Sequence, residues 1–391
     1  MERTRVGIIG AGPAGLMLSH LLARAGIESA ILELRTRQYA ESRVRAGVLE
    51  HGAAELLRAT GVGERMDREG LVHRGIYLQF GGARHHLDFM DLTGRTIMVY
   101  GQQEIVKDLI AARLEAGGQI VFEAEALRLD GVLGDRPTIT YRVGGEEREL
   151  GCDFIAACDG AHGMGRAAVP STVYERVYPH GWLGILARTP PASSELIYAC
   201  HENGFSLHSM RSPEISRLYL QVSAEESLAN WSEDRIWDEL RLRLAEPDLR
   251  AGEILDIGIT SLHSLVIEPM QHGRLYLAGD AAHIVPPTGA KGMNLALADV
   301  QTLAIALVAW YQSGSTTLLD TYTEACLGRV WRAQQFSAFM TGLFHRTPKG
   351  DPFEHRLQLA HLAYITRSRA AATSLAENYT SAATGLGEGN R

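Results

Sequence analysis

A glycine-rich run near the start of the chain has the residue types and spacing of a phosphate-binding turn. The segment GAGPAG at residues 10–15 follows a short apolar run and precedes an apolar-periodic stretch. Glycines permit a tight turn and let backbone amides approach a pyrophosphate, while a helix start adds the positive end of its dipole. Glu33 ends the next apolar run, where a carboxylate can accept hydrogen bonds from ribose hydroxyls. The predicted dinucleotide contacts are Gly10, Gly12, Pro13, Ala14, Gly15 and Glu33.

Two more glycine–acid motifs follow apolar runs further along the chain. Gly279 and Asp280 end the run RLYLA and lead through PPTGAKGMN into a helical pattern. A short acid among small residues can reach a polyol, and backbone N–H groups at a helix start can face an electron-rich ring edge. Asp159 and Gly160 end another apolar run. The first motif alone leaves FAD and NAD open as ligands, whereas the set of three favours a flavin.

These three motifs resemble those of the single-component FAD-dependent aromatic hydroxylases, and the resemblance covers nearly the whole chain. Further segments that carry it are RVRAGVLE at 43–50, YGQ at 100–102, ELIY at 195–198, residues 285–294 and AENY at 376–379. It implies a non-covalently bound FAD, with its ADP part on the first motif and its ribityl chain on the Gly-Asp motif. The cofactor contacts that it adds are Arg43, Arg45, Gln102, Asp159, Arg217, Gly279, Asp280, Lys291, Gly292, Met293 and Asn294.

Strand alternation places polar side chains of residues 205–219 on shared faces. Ser209 and Arg211 share one face, and Arg217 and Tyr219 share a face of the returning strand after a turn over 212–216. If the face is common, a guanidinium can grip a carboxylate bidentately while a hydroxyl and a phenol each add a hydrogen bond. Alternation alone favours a solvated hairpin with one surface arginine. The resemblance assigns Ser209, Arg211 and Tyr219 to the carboxylate of a benzoate substrate.

Tyr198 and Tyr379 are far apart in sequence, and no local pattern joins them. The resemblance implies that their hydroxyls relay a proton from the substrate phenol, with His73 as the outlet and the backbone carbonyl of Pro287 near the substrate hydroxyl. Without the resemblance, Tyr198 is interpreted as a half-buried strand tyrosine and His73 as a histidine of a surface loop.

A substrate phenol needs help to ionise. With a pKa of about 10 it is scarcely ionised at pH 7, and lowering that pKa by two to three units takes about 3–4 kcal/mol. Hydrogen bonds and a positive local field can supply this energy. The candidates for the field are Lys291, Arg217 and the helix start at 292–294.

The resemblance implies hydroxylation of 4-hydroxybenzoate beside its hydroxyl, giving 3,4-dihydroxybenzoate, with O2 and NADPH or NADH as co-substrates. Alternatives are a hydroxylase of a related phenolic or aminobenzoic acid and a non-catalytic flavin sensor. A flavin halogenase is disfavoured because no WxWxIP motif is present. A metal hydrolase is disfavoured because Asn203, Gly204 and Phe205 follow His201-Glu202 and break HExxH. No metal site is predicted.

The nicotinamide donor is predicted from departures within the resemblance. Well-known NADPH-dependent relatives carry polar or basic side chains after the ribose acid, where this chain has Leu34. His263 stands where those relatives have arginine. We therefore expect relaxed use of NADH and NADPH, leaning towards NADH. The candidate donor contacts are Arg35, Tyr39, Arg43, His162, Arg166 and His263.

The surrounding pattern predicts an α/β protein: a Rossmann-like FAD-binding domain with an inserted antiparallel β-sheet substrate domain and a helical C-terminal region. The predicted segments are residues 1–175, 176–284 with the GD strand at its end, and 285–391. Apolar runs predict strands at 5–9, 29–33 and 154–158, and Gly-Gly pairs predict hairpins at 81–82 and 144–145. Apolar periodicity predicts helices at 13–25, 103–116, 295–311, 318–340 and 353–378.

Composition limits the class of protein. The 391 residues are 46% hydrophobic and 21% charged, with a net charge of −8, which disfavours nucleic-acid binding and a polybasic membrane anchor. Four cysteines without a CxxC pair favour a reducing cytoplasm. We expect no membrane span, since the longest late apolar run, 303–311, is short. Family analogy implies a homodimer.

Overall fold

The computed structural model describes residues 2–44, 47–347 and 350–381. Its strands, in chain order, are β1 Glu2–Arg3, β2 Val6–Ile9, β3 Ser29–Glu33, β4 Val48–Leu49, β5 Leu71–His73, β6 Gly75–Phe80, β7 Ala83–Asp88, β8 Ile97–Val99, β9 Gln119–Phe122, β10 Glu125–Asp130, β11 Thr138–Val143, β12 Glu146–Gly151, β13 Phe154–Ala157, β14 Thr172–Arg188, β15 Ile197–Ala199, β16 Ser206–Ser212, β17 Ile215–Ser223, β18 Glu253–Glu268, β19 Gln271–His272, β20 Leu275–Leu277 and β21 His283–Ile284.

The helices pack on both sides of these strands and form the end of the described chain. They are α1 Pro13–Arg24, α2 Arg37–Ser42, α3 His51–Ala59, α4 Glu64–Glu69, α5 Phe89–Thr93, α6 Gln102–Glu115, α7 Glu233–Leu244, α8 Gly292–Ser313, α9 Thr317–Asp320, α10 Tyr322–Phe344, α11 Pro352–Arg367 and α12 Arg369–Thr380. Short 3-10 turns occupy Gly165–Ala168, Leu228–Asn230, Gly279–Ala281 and Pro287–Gly289.

A six-stranded sheet gathers the three glycine–acid motifs. Its order is β19-β20-β13-β2-β3-β9, and all neighbours except β19 and β20 are parallel. The carboxyl ends of parallel strands meet at one edge of a sheet. Gly10 follows β2, Asp159 closely follows β13, and Gly279 closely follows β20, so the motifs lie along that edge.

An eight-stranded sheet carries the predicted carboxylate clamp. Its order is β21-β18-β14-β17-β16-β15-β6-β7, antiparallel except between β15 and β6. The helices α10, α11 and α12 contribute to the apolar cluster over one face, which includes Tyr198, Phe205 and Tyr379. Helix α7 packs in a separate cluster with Trp237 and Leu240. The sheet therefore has a different apolar cluster on each of its two faces.

Local sequence signals predicted the bounds of several elements closely. They did not predict which strands share a sheet, because strands distant in the chain pair with each other. Strand β3 has the predicted bounds, and both Gly-Gly hairpins form. The segment 353–378 is two helices rather than one, since Ser368 caps α12 by accepting a hydrogen bond from Ala371 N. The predicted segment boundaries do not follow the sheets: β6 and β7 pair with the eight-stranded sheet, and β20 joins the six-stranded one.

Helix α8 corrects the expectation that no apolar stretch is long enough to span a membrane. Within the described residues, it is the one helix that passes by length and composition, with a mean hydropathy of 1.5. The buried share of its most apolar window is 61%, and α8 packs against α1 and α10. The sequence prediction considered only the run 303–311, whereas α8 begins at Gly292 and buries Asp299 fully.

Gly10 is expected to be essential for folding, unlike its neighbour Gly12. A Cβ at Gly10 would lie 2.4 Å from the backbone oxygen of Cys158, at a φ of +101°, whereas a Cβ at Gly12 meets nothing within 4 Å. Gly10→Ala should lower the free energy of unfolding of the apoprotein by about 2–4 kcal/mol through strain and overlap. Gly12→Ala is the matched control and should leave it within about 1 kcal/mol. Urea titration checks this; equal losses would contradict it.

Candidate active site

The Gly-rich turn is held by the carboxylate that sequence analysis assigned to a ribose. Glu33 Oε2 accepts a hydrogen bond from Ala11 N at 2.7 Å, and Oε1 accepts one from Arg35 N at 2.8 Å. Its remaining lone pairs are the ones available to a ligand hydroxyl. Helix α1 begins directly after Gly12 with no side-chain cap, so its first N–H groups have no intrahelical partner.

The Asp-Gly and Gly-Asp motifs are tied together by Arg166. Its guanidinium donates to the backbone oxygens of Asp280 at 2.7 Å and Ala281 at 3.1 Å. These two bonds use two of the five guanidinium N–H donors, so the contact of Arg166 with the nicotinamide donor stays a prediction. Asp159 lies nearby, where Oδ2 accepts from Gly165 N at 2.8 Å while Oδ1 is buried without a hydrogen-bond partner among the described residues.

Asp280 lies in a concave surface. Its side chain is exposed, yet surrounding protein desolvates it enough to raise its pKa above the usual value, while His283, Arg43, Arg166 and His263 act in the opposite direction. Exposure and desolvation coexist when a side chain lines a cleft. The predicted donor residues Arg43 and His263 therefore lie close enough to this cleft to affect it electrostatically.

The other predicted donor residues lie at or near the surface. The guanidinium carbons of Arg35 and Arg43 lie 5.4 and 5.8 Å from the ring centroid of Tyr39, so α2 presents a small cationic cluster. Leu34 beside it is 53% exposed. His162, in the loop after β13, is also exposed.

A buried histidine–aspartate pair is hydrogen-bonded to the Gly-Asp turn through Gly279. Asp299 Oδ2 accepts from Gly279 N at 3.1 Å and lies 2.6 Å from His283 Nε2. Both side chains are fully buried, and the Asp299 carboxylate raises the pKa of His283 despite desolvation. Sequence analysis missed this pair because an aspartate inside an apolar helix gives no sign of its partner.

The predicted clamp residues converge on one face of the eight-stranded sheet. Ser209 lies opposite Arg217 in the β16–β17 register, and Leu207 lies opposite Tyr219. Arg211 Nη1 donates to Ser209 Oγ at 3.0 Å, and Arg217 Nε donates to the Tyr219 hydroxyl at 3.4 Å.

Arg211 is half-buried within this cluster and Ser209 is buried. Desolvation lowers the pKa of Arg211 from the usual arginine value. The solvated-hairpin alternative is therefore wrong. Trp182, which the sequence did not single out, packs against Tyr219 with ring centroids 4.9 Å apart and ring planes tilted by 51°. A half-buried guanidinium beside a phenol is suited to a planar anion.

Tyr198 and Tyr379 are hydrogen-bonded to each other. Their hydroxyl oxygens are 2.7 Å apart, and the Tyr198 hydroxyl donates to Thr288 O at 3.2 Å. Burial raises the pKa of both phenols above the usual tyrosine value. Both are therefore neutral at pH 7 and can pass a proton only by accepting one as they donate another.

The loop carbonyl beside Tyr198 is that of Thr288, which sequence analysis missed. The Pro287 carbonyl closes a turn by accepting from Ala290 N at 3.0 Å. Its predicted contact with a substrate hydroxyl would use the second lone pair of that oxygen.

Lys291 is a buried cation beneath Tyr379. Its ammonium donates to Glu50 Oε1 at 2.6 Å and to the backbone oxygens of Asn378 at 2.5 Å and Tyr379 at 3.1 Å. Desolvation lowers its pKa from the usual lysine value, while Glu50 acts in the opposite direction. Glu50 was not predicted as a site residue, and its sequence segment gave no reason to pair it with Lys291.

The side chain of Asn294 is hydrogen-bonded to the protein backbone. Its amide nitrogen donates to the backbone oxygens of Val48 and Ala290, and its oxygen accepts from Glu50 N at 2.9 Å. The predicted cofactor contact is thereby limited to backbone N–H or the remaining oxygen lone pair. Gly292 and Met293 open α8, where first-turn amides have no intrahelical partner.

His73 is not hydrogen-bonded to this site in the described part of the chain, and two further predicted residues lie elsewhere or outside it. His73 is fully buried on β5 rather than in a surface loop, and neither ring nitrogen has a hydrogen-bond partner in the described part of the chain. No direct hydrogen bond links it to Tyr379 there. Gln102 begins α6, and Arg45 lies outside the described residues. Among the described residues, no group of three or more His, Cys, Asp or Glu side chains could hold a metal ion.

The sequence profile described as "FAD binding domain" matches residues 3–337. The chain therefore belongs to the family of FAD-dependent aromatic hydroxylases, and the predicted family, fold class and FAD dependence are confirmed. Its relatives include the p-hydroxybenzoate hydroxylase of Acinetobacter baylyi, 46% identical over 385 residues, which cover 96% of this chain and 95% of that protein. The probable NADH-specific resorcinol 4-hydroxylase of Rhodococcus jostii is 27% identical over 81% of this chain and 61% of its own length.

The p-nitrophenol 4-monooxygenase of Pseudomonas putida DLL-E4 has the same fold. Its crystal structure gives a TM-score of 0.86 over 97% of this chain and 99% of that chain, at 18% sequence identity. At that identity the likeness concerns the fold alone.

The edge of the six-stranded sheet fits FAD on its own geometry. A Cβ at Gly12 or Gly160 would meet no atom within 4 Å, so ligand atoms can approach the backbone at both turns. Amides without an intrahelical partner open α1 and α8. These groups match pyrophosphate and a ring edge, respectively.

The His283–Asp299 pair should make stability fall at alkaline pH. Because the folded-state pKa of His283 is raised, its contribution is fully present below about pH 6.5 and is lost as the pH rises through the folded value. His283→Gln keeps a donor for Asp299 but does not titrate, so its free energy of unfolding should depend less on pH. Urea titrations of the apoprotein from pH 6 to 9 test this, with exposed His162→Gln as the control. Parallel parental and His283→Gln curves would contradict it.

Proposed function

We propose that this enzyme hydroxylates 4-hydroxybenzoate at the 3-position, converting it to 3,4-dihydroxybenzoate with NAD(P)H and O2. One oxygen atom enters the ring and the other leaves as water, while NAD(P)H supplies two electrons and is released as NAD(P)⁺. The observation that carries the proposal is that one sheet face holds a guanidinium clamp and a paired phenol close together. The 46% identical relative is named for the same substrate.

The two polar groups are spaced for one aromatic ring. Leu207 lies opposite Tyr198 on one side and opposite Tyr219 on the other. Opposite residues of an antiparallel sheet share a face, and two strand spacings amount to about 10 Å. A carboxylate held by Arg211 and Ser209 therefore leaves the para hydroxyl of a benzoate directed towards Tyr198.

The protein's own groups prepare the substrate. FAD, when bound, would carry the two electrons of the nicotinamide donor to O2 and so activate it. Arg211, Ser209 and Tyr219 hold the carboxylate, and Tyr198 accepts the phenol proton while passing its own to Tyr379. The Lys291 ammonium beneath Tyr379 supplies positive potential that favours the substrate phenolate. Phenolate oxygen activates the adjacent ring carbon towards an electrophilic oxygen atom.

The Arg35–Tyr39–Arg43 cluster is our candidate site for the donor's adenosine end, with His263 nearer the Asp280 cleft. Leu34 offers a 2′-phosphate no hydrogen bond, so we propose that NADH and NADPH both serve, with NADH favoured.

A homodimer is supported by the exposed Phe353, Leu357 and Tyr364, which lie along α11 at helical spacing. A cytoplasmic location is supported by four buried cysteines that form no disulfide.

Anaerobic mixing tests substrate and donor together. The purified yellow enzyme is mixed with NADH or NADPH, with and without benzoates, and flavin bleaching is followed by absorbance. We expect 4-hydroxybenzoate to accelerate bleaching and NADH to be at least as effective as NADPH. 4-Aminobenzoate and 2,4-dihydroxybenzoate are the comparison acids. Stronger acceleration by one of them would identify a related hydroxylase, and a strong NADPH preference would refute the interpretation of Leu34.

Tyr198→Phe should separate flavin reduction from hydroxylation. The variant keeps the ring but cannot accept the phenol proton, so reduction should remain within about threefold of the parent while most O2 is released as peroxide. Peroxide yield and product yield per NADH consumed are the measurements. Tyr178→Phe, outside this pair, is the control. A normal product yield in Tyr198→Phe would refute the relay.

A further inference from the structure

His73 is a buried base with no hydrogen-bond partner in the described part of the chain. Its ring is fully buried, and both nitrogens lack partners there. Desolvation lowers the pKa of His73 to about 4, and the charge of Glu195 acts in the opposite direction. His73 is therefore neutral at pH 7, with one nitrogen able to accept a proton while the other releases one.

Glu195 is anchored beside His73 by the backbone. Its Oε1 accepts from Arg74 N at 2.7 Å and Gly75 N at 3.1 Å, the two residues that follow His73. Its Oε2 lies 2.6 Å from His86 Nε2. The Glu195 side chain is 11% exposed and that of His86 is 35% exposed, so the pair leads from the interior to solvent.

The other titratable groups near Glu195 and His86 are either paired with another side chain or buried. Asp88, beside His86, is paired with Arg74 at 3.3 Å, and both hydrogen-bonding and charge keep its pKa low despite desolvation. His208, on the inner side, has a pKa lowered to about 4 by burial, with Arg84 and His73 adding to the effect. The Nε2 atom of His208 accepts a hydrogen bond from Ala192 N at 3.0 Å. The Tyr77 ring packs 4.8 Å from that of His86.

We propose that Glu195 and His86 form the final part of a proton exit that leads from the substrate phenol through His73 to solvent. The proposal rests on the proposed function. The phenol O–H bond breaks, and His73 gains a proton at one nitrogen and loses one from the other. Glu195 takes that proton. The His86 ring, whose Nε2–H donates to the resting carboxylate, then rotates so that its unprotonated Nδ1 takes the proton from Glu195 while Nε2 releases one to water. His73 and His86 end neutral and Glu195 ends anionic, so charge balances. Glu195 and His86 are positioning residues, because neither touches substrate.

The adjacent histidine provides a matched control. His85 and His86 are consecutive on β7, so their side chains point to opposite faces. His85 stacks on Phe80, with ring centroids 4.7 Å apart, whereas the hydrogen bond to Glu195 comes from His86. His85→Gln and His86→Gln thus change the same strand by the same chemistry, and only the second interrupts the proposed exit.

The test measures proton release when the oxidised holoenzyme binds 4-hydroxybenzoate, by stopped-flow absorbance with a pH-indicator dye in weak buffer. Glu195→Gln and His86→Gln should slow release at least about tenfold with substrate affinity unchanged, whereas His85→Gln should match the parent. Added imidazole should restore the rate in His86→Gln, which a merely structural defect would not allow. The pH profile of release should shift in Glu195→Gln.

Two results would overturn the exit. Parental release rates in both variants would show that protons leave elsewhere, and equal slowing in His85→Gln would show a general effect on the strand. If 4-hydroxybenzoate changes the flavin spectrum of the parent enzyme but both variants release protons at the parental rate, the proton exit is wrong and the proposed function stands. If the parent neither binds 4-hydroxybenzoate nor releases a proton with it, the proposed function fails, and the exit fails with it.

Discussion

The buried ammonium of Lys291 is the interaction on which the arrangement of the site depends. A cation removed from water is costly unless it is paired and its protons are satisfied. Glu50 pairs it, and the carbonyls of Asn378 and Tyr379 take the other bonds. Three distant parts of the chain are thereby held at one point: the loop after β4, the start of α8, and the end of α12. The cofactor edge and the tyrosine pair share that point.

The parallel sheet and the antiparallel sheet serve different parts of the site. The parallel sheet brings strand ends together, so its loops and helix starts present backbone N–H groups and short acids to a long polyanionic cofactor. The antiparallel sheet brings side chains of adjacent strands together across one face, so Arg211 and Tyr219 can surround a small acid. Arg166 and the Asp299–His283 pair stiffen the cofactor side before any ligand contributes.

The sequence was most informative where function depends on local geometry. The bounds of β3, the Gly-Gly hairpins and the alternation around Ser209 follow from turn chemistry and strand period. It was least informative about partners distant in the chain. The Thr288 carbonyl, the Glu50–Lys291 pair and the burial of His73 all depend on packing between elements, and no periodicity encodes that packing. The Tyr198–Tyr379 pair was foreseen through resemblance, which carries such long-range information.

The hydrogen bond between Tyr198 and Tyr379 makes the proton path depend on the last described helix. One partner belongs to the middle of the polypeptide, and the other lies 181 positions later, on α12. The end of the same helix supplies two carbonyls to the Lys291 ammonium. A chain that stops before α12 would keep every strand of the parallel sheet and lose both the phenol pair and the anchor of the cation beneath it.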